Sequence, residues 1–233
     1  MFARRNRWAR PLLLGLWLGA AGPALLSVGS AAPPARPGAR AARTPARRPP
    51  GTYVTLETPA GAIVLRMLPQ EAPQTVANFV GLAEGTKPFR EWRPGPNQGQ
   101  MARRPFYDGL TFHRVLHGFM IQGGCPKGDG TGGPGYTIPD ELPPRRPYLR
   151  GAVLMSHGDR PNSAGSQFFI LQADVRSHLP KQYTVFGEVF QGMEVVDRIA
   201  SGPTQPNPFR PNERSTPVKP VVIEKAVVSR VKG

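Results

Sequence analysis

The chain has 233 residues, of which 39% are hydrophobic, and this is enough for one medium-sized domain with a packed core. It carries 30 basic and 15 acidic residues, but nine arginines and no acidic residue lie before residue 51, so much of the excess charge belongs to that segment. The rest of the chain is therefore not charged as a nucleic-acid-binding domain would be, and a single cysteine, Cys125, excludes an internal disulfide.

The N-terminus has the three parts of a secretory signal. Basic residues at 4–10 precede an apolar run at 12–28, and small residues follow at 29–32. We predict a signal peptide over residues 1–31 that is cleaved near its end, which indicates an exported protein, periplasmic or secreted. The alternative is an uncleaved segment that tethers the protein to the membrane, although a Gly-Pro pair interrupts the apolar run and its length is marginal for a span.

The next segment is of low complexity. Residues 33–50 read PPARPGARAARTPARRPP, which contains no aromatic residue and only one β-branched residue, so they cannot build a core. We predict an extended, disordered linker at 32–51 and a folded domain at 52–233. The alternative is a basic arm that holds anionic lipid or wall polymer.

The domain is predicted to open with a β-hairpin and a helix. Polar and apolar residues alternate over 52–58, and after a Pro-Ala-Gly turn a second strand covers 62–67. Apolar residues recur at helical spacing in 71–84, and Gly85 is a typical helix stop. Residues 86–105 are rich in Pro, Gly, Arg and Gln and are predicted to form a surface loop.

Short strands separated by Gly and Pro turns make up the rest of the domain. We predict these strands around residues 111–116, 119–122, 152–155, 167–171 and 184–190. A short helix is predicted at Met193–Ala200, a polar, Pro-rich loop at 201–217, and a last strand at Val218–Val231. Many short strands, two helices and no βαβ alternation indicate an all-β fold, a closed antiparallel barrel.

Several motifs with other functions lack the context that they need. GDGTGG at 128–133 matches a dinucleotide-binding pattern, but prolines follow it where a helix would have to start. His113 and His117 are spaced i, i+4 on a strand-like segment, where their rings do not converge, so no metal site is predicted. Ser163 and Ser166 lack the Gly-x-Ser-x-Gly turn of hydrolases.

Five short strings occur in order along the domain: YDGLTFHRV, GFMIQGG, GTGGPGY, NSAGSQFFI and YTVFGEV. Together they resemble the cyclophilin family, and the resemblance covers residues 52–231. It implies an eight-stranded barrel capped by two α-helices, with no cofactor and no metal. It also implies peptidyl-prolyl cis-trans isomerase activity on proline-containing segments of client proteins. With the export signal, we expect a monomer that assists the folding of exported proteins.

The resemblance assigns roles to individual residues. Arg114 matches the family's catalytic arginine, and Gln122 matches a residue that binds the substrate carbonyl or orients that arginine. The other matching residues form the substrate-binding set: Phe119, Met120, Phe169 and Leu179 in the proline pocket, Gln167 on the substrate backbone, Ser156, His157 and Gly158 on the rim, and Tyr183. Tyr183 and His178 stand where many eukaryotic members have His and Trp, as in bacterial members.

The residues by themselves leave other interpretations open. Without the resemblance, Arg114 could be a surface residue of a strand, and the apolar residues could be ordinary barrel core. The domain could also bind proline-containing segments without turnover. A third possibility is that the basic tail binds an anionic polymer or nucleic acid.

Overall fold

The first elements of the domain form the predicted β-hairpin. The computed structural model describes residues 48–233, and the predicted signal peptide and most of the predicted linker lie outside the described residues. Strand β1 (Gly51–Thr58) pairs antiparallel with β2 (Gly61–Met67). Gly61 has a φ of +124°, which residues with side chains rarely adopt, so glycine suits this end of the turn.

Both predicted helices are confirmed. Helix α1 (Pro73–Glu84) has proline in its first turn and ends at Gly85, whose φ of +75° is left-handed. The carboxylate of Glu141 accepts hydrogen bonds from two backbone N–H groups of the first turn, at 3.1 and 2.9 Å. Helix α2 (Met193–Ala200) has the predicted bounds. None of the helices formed by residues 48–233 is both long and apolar enough to cross a membrane.

The remaining strands are mostly short. They are β3 (Phe89–Arg90), β4 (Met101–Ala102), β5 (Thr111–Phe112), β6 (Arg114–Leu116), β7 (Met120–Gly123), β8 (Ala152–Met155), β9 (Phe168–Leu171), β10 (Val185–Gln191), β11 (Thr204–Asn207), β12 (Arg210–Pro217), β13 (Val221–Val222) and β14 (Lys225–Val231). Eight strands form one antiparallel sheet in the order β14-β1-β2-β10-β8-β9-β7-β6. The predicted strand positions between residues 111 and 190 are confirmed.

The two edges of this sheet meet. β5 immediately precedes the edge strand β6, and β13 precedes the other edge strand, β14. β5 and β13 pair with each other, with Phe112 opposite Val221. The backbone N–H of Ile223 extends this contact by donating to the carbonyl of Leu110 at 2.7 Å. The sheet is thereby closed into the predicted barrel.

Successive residues of the sheet face two different apolar clusters. On β7 and β9, Ile121 and Phe168 belong to the main buried cluster, which also contains Phe79 of α1. Their neighbours Met120 and Phe169 belong to a second cluster. Because side chains alternate along a strand, the second cluster lies on the other face of the sheet, outside the barrel core. This outer face carries the candidate site.

Two segments that were predicted as loops contain β-hairpins. Within 86–105, β3 pairs with β4. The prediction of a polar loop at 201–217 is wrong, because β11 and β12 form an antiparallel hairpin there. The sequence does not predict this hairpin because its strands contain prolines and lack an apolar alternation. The two strands are joined instead by polar contacts, such as the buried hydrogen bond from Asn207 to Ser215 at 3.0 Å. The predicted last strand is also divided, into β13 and β14.

Candidate active site

Three neighbouring strands carry the central residues of the site. Arg114 on β6 lies opposite Gln122 on β7, and Gln122 lies opposite Phe169 on β9. Since adjacent strands are about 4.8 Å apart, a guanidinium, an amide and an aromatic ring stand side by side on the outer face. Strand pairing thus brings Phe169 next to Arg114 and Gln122, which lie about 50 residues earlier in the sequence.

Arg114 is held on two sides. Its Nη1 donates a hydrogen bond to Oε1 of Gln122 at 3.1 Å. Its Nε and Nη2 donate to the two carboxylate oxygens of Glu213 on β12, at 2.7 and 2.6 Å. A guanidinium has five N–H donors, so one on each Nη remains for another molecule. The side chain of Arg114 is 19% exposed, so a bound peptide can reach these donors.

The amide groups of the site are engaged with each other. Gln122 is buried, and its Nε2 donates to Oγ of Ser156 at 3.3 Å and to Oε1 of Gln167 at 3.0 Å. Nε2 of Gln167 in turn donates to the carbonyls of Gly130 and Gly132, at 2.7 and 2.8 Å. In this arrangement Gln122 orients the arginine. Gln167 holds the Gly-rich segment, so its N–H groups are not free for a substrate.

A pocket of about 260 Å³ opens beside Arg114, and four of its lining side chains are apolar: Phe119, Met120, Phe169 and Leu179. The residues that line it are Arg114, Phe119, Met120, Gln122, Ser156, His157, Phe169, Leu179, Tyr183 and Arg210. The structure therefore gathers every predicted site residue here except Gly158 and Gln167. Inside the pocket wall, Tyr183 packs edge-on against Phe169, with ring centroids 5.3 Å apart.

A larger groove of about 880 Å³ adjoins the pocket and contains Gly158 and Gln167 in its walls. Arg114 and His157 line both spaces. The ring of His157 stacks on the ring of Tyr183, with centroids 4.7 Å apart. This contact holds His157 in place between the pocket and the groove. An extended peptide can therefore place an apolar ring in the pocket and continue into the groove past the guanidinium of Arg114.

The groups that were considered as metal ligands do not converge. His113 is buried, and burial lowers its pKa to about 4, so the imidazole is neutral at pH 7. His117 is exposed. The buried thiol of Cys125 accepts hydrogen bonds from two backbone N–H groups of the Gly-rich segment, at 3.2 and 3.3 Å. Within residues 48–233, no three His, Cys, Asp or Glu side chains are grouped as a metal ion would require.

Two residues of the site were not predicted. Glu213 and Arg210 both come from the β11–β12 hairpin, whose sequence suggested a loop. Hydrogen bonds from Arg114 lower the pKa of Glu213, so this carboxylate is charged at neutral pH. No local pattern marks Glu213 as a site residue, because it pairs with an arginine 99 positions earlier in the chain.

Known proteins are similar to this chain in sequence and in fold. The family model described as "Cyclophilin type peptidyl-prolyl cis-trans isomerase/CLD" matches residues 53–228. Peptidyl-prolyl cis-trans isomerase B of Streptomyces anulatus is 46% identical over 178 residues, which cover 76% of this chain and 95% of that protein. Peptidyl-prolyl cis-trans isomerase A of Mycobacterium tuberculosis is 42% identical over 177 residues, which cover 75% and 91%.

Among solved structures, this chain is similar to a cyclophilin type peptidyl-prolyl cis-trans isomerase of Cryptosporidium parvum, determined in the presence of the dipeptide Ala-Pro. The TM-score is 0.61 at 26% sequence identity, and the match covers 77% of this chain and 99% of that one.

Proposed function

This chain belongs to the cyclophilin family of peptidyl-prolyl cis-trans isomerases, and from that premise we propose that Arg114 catalyses X–Pro rotation in exported proteins. Isomerase activity and a part in protein folding are what the family performs. The observation that carries the assignment of Arg114 is its place in the lining of the pocket, where two of its N–H donors are unused.

The reaction makes and breaks no covalent bond. Rotation about a peptide bond is opposed by delocalisation of the nitrogen lone pair, with a barrier of about 18–20 kcal/mol. In the twisted transition state the lone pair is localised on the prolyl nitrogen. A fixed donor aimed at that nitrogen binds the transition state more strongly than either planar isomer. The guanidinium of Arg114 suits this task because it stays charged and gives up no proton.

The apolar pocket has a separate task. The pyrrolidine ring must be held still while the preceding carbonyl swings around the bond. Phe119, Met120, Phe169 and Leu179 offer an apolar surface for the ring beside the arginine. We propose that proline-containing peptide segments bind here. The Cryptosporidium relative studied with Ala-Pro supports a substrate of this chemistry.

The place of action is proposed from the N-terminal sequence. The basic, apolar and small residues within 1–31 support export, to the periplasm or the medium, with an uncleaved tether as the alternative. N-terminal sequencing of the mature protein, purified from fractionated cells, tests this. A new N-terminus near residue 31 in the exported fraction is the expected result. An intact N-terminus in the cytoplasmic fraction would refute export.

The assignment of Arg114 is tested with the full chain in a protease-coupled assay on an Ala-Pro-Phe peptide. Arg114→Ala should lose about a hundredfold in kcat/KM or more, which is typical when a donor to a transition state is removed. Peptide titration should show that the variant still binds, because the apolar side chains of the pocket are unchanged. An unchanged rate in Arg114→Ala would refute the catalytic role. Tight binding by a wild type without turnover would instead indicate a binding module.

A further inference from the structure

The β11–β12 hairpin forms one wall of the site. Pro208 and Phe209 at its turn line the larger groove, and Arg210 lines both the groove and the pocket. Three residues further along β12, the carboxylate of Glu213 faces the guanidinium of Arg114. A segment with the composition of a surface loop therefore contacts the residue on which the proposed mechanism depends.

The carboxylate of Glu213 is held from behind. Oγ of Ser215 donates a hydrogen bond to it, and Nδ2 of Asn207 donates to the same hydroxyl at 3.0 Å. Ser215 and Asn207 are both buried. A polar chain thus runs from β11 through β12 to Arg114. Buried and fully paired chains of this kind hold their members in one arrangement.

We propose that Glu213 is a positioning residue of this isomerase, which aims the two free N–H donors of Arg114 at the prolyl nitrogen. The proposal rests on the catalytic role of Arg114 given above. Glu213 takes the Nε edge of the guanidinium and Gln122 takes one hydrogen of Nη1. With both held, the plane of the guanidinium is fixed, and the remaining hydrogens face the substrate space.

The carboxylate has a second, opposing effect. It reduces the positive potential near the reacting nitrogen, and this alone would slow the reaction. We expect orientation to dominate, because a misplacement of about 1 Å at a reacting centre costs about a hundredfold in rate. Arg114 is a long side chain whose guanidinium has no other acidic partner among residues 48–233.

The protonation state of Glu213 supplies a signature that a merely structural residue lacks. The charged groups near it are Arg114 on β6 and Arg210 on its own strand, with the neutral His113 beside both arginines. Hydrogen bonds from Arg114 lower its pKa below the ordinary value of 4.5. The ion pair is therefore complete at neutral pH and is lost only as the pH falls through the lowered value.

The test compares Glu213→Gln with the wild type by NMR exchange on a proline peptide, which needs no protease and reports rate and binding separately. We expect kcat to fall about tenfold, because a neutral amide replaces a charge-assisted, bidentate acceptor. The peptide dissociation constant should change by less than about twofold, since the pocket is untouched. Glu213→Asp, which keeps the charge but has a shorter reach, should lie between the two.

The same measurement is repeated from pH 8 down to the lowest pH at which both proteins stay folded. The ratio of the wild-type rate to the Glu213→Gln rate should stay constant through pH 4.5 and move towards one only below it, as the wild type loses its carboxylate. Circular dichroism at each pH establishes that both proteins are folded. The Nε–H resonance of Arg114 gives a readout that is independent of turnover, and it should broaden in Glu213→Gln.

Glu91→Gln is the matched control, because Glu91 forms a similar bidentate pair with Arg104 away from the pocket. Its rate should equal that of the wild type. If Arg114→Ala is inactive but Glu213→Gln behaves like Glu91→Gln, the positioning role is wrong while the proposed function stands. If Glu213→Gln is faster than the wild type, Glu213 restrains Arg114 and the proposal is overturned. If Arg114→Ala keeps its rate, the proposed function itself fails.

Discussion

Two arginine–glutamate pairs of this protein have nearly the same geometry and different surroundings. In both, Nε and Nη2 of the arginine bind the two carboxylate oxygens: Arg114 binds Glu213 at 2.7 and 2.6 Å, and Arg104 binds Glu91 at 2.9 and 2.7 Å. The side chains are also similarly shielded, at 19% and 21% exposed in the first pair and 25% and 11% in the second.

The pairs differ in what else they touch. The guanidinium of Arg104 packs over the ring of Phe89, and Nη1 donates to the carbonyl of Pro105 at 3.3 Å, so its contacts stay within the fold. Glu91 also accepts hydrogen bonds from the backbone N–H groups of the two residues that follow it. Arg114 instead leaves donors directed at a pocket. The same ion pair stabilises a hairpin in one place and can orient a catalytic donor in the other.

The largest effect is expected when the arginine of each pair is replaced by lysine, which keeps the charge but cannot donate two parallel hydrogen bonds to a carboxylate. Arg114→Lys should lose between about tenfold and a hundredfold in kcat/KM, because a point charge cannot reproduce the oriented donors. Arg104→Lys should keep the wild-type rate. The protease-coupled assay measures both. A fully active Arg114→Lys would mean that a positive charge suffices and that the planar geometry of the guanidinium donors is not needed.

A second prediction concerns stability and acid at the remote pair. Burial acts to raise the pKa of Glu91, but hydrogen bonds from Arg104 and from two backbone N–H groups outweigh it, so the pKa is lowered. Its stabilising effect is therefore complete above the ordinary value of 4.5 and is lost as the pH falls through the lowered one.

Glu91→Gln should accordingly lower the free energy of unfolding by about 1 kcal/mol at pH 7. The difference from the wild type should shrink below about pH 4.5. Urea unfolding at several pH values measures this. A difference that persists unchanged at the lowest pH would show that the charge of Glu91 contributes nothing.

Removing the support behind Glu213 should have a smaller effect. Ser215→Ala deletes the hydroxyl that donates to the carboxylate, and the rate should fall about threefold because Glu213 keeps its bond to Arg114. Ser229→Ala on β14 is the control and should leave the rate unchanged. If Ser215→Ala and Ser229→Ala have the same rate, Ser215 does not contribute to the positioning of Arg114 and only Glu213 does.

The smallest predicted effect is on substrate preference. Arg210 lines the pocket and the groove, and among residues 48–233 it has no ion-pair partner. For each protein, the rate on a peptide with Glu beside the proline is divided by the rate on the matching Ala peptide. This ratio should be about twofold higher in the wild type than in Arg210→Ala. Arg214→Ala on the same strand is the control. Equal ratios in all three proteins would remove Arg210 from substrate selection.

Much of the fold could be predicted because its signals are local. The opening hairpin, both helices and the strands around the site follow from alternation, helical spacing and glycine stops within short segments. The hairpin at 204–217 could not be predicted, because its strands contain prolines and are joined by polar contacts such as Asn207 to Ser215. Propensity and apolar pattern, the two usual indicators of a strand, are both absent there.

Arg114, Gln122 and the pocket residues could be named because the short strings that contain them resemble the cyclophilin family. Pairing of β6, β7 and β9 then places Arg114, Gln122 and Phe169 side by side. What only the tertiary structure decided is how Arg114 is held. The partner of its Nε edge is Glu213, 99 positions later in the chain. A contact across that distance depends on closure of the barrel and on the packing of a polar hairpin against β6, which no local pattern of residues encodes.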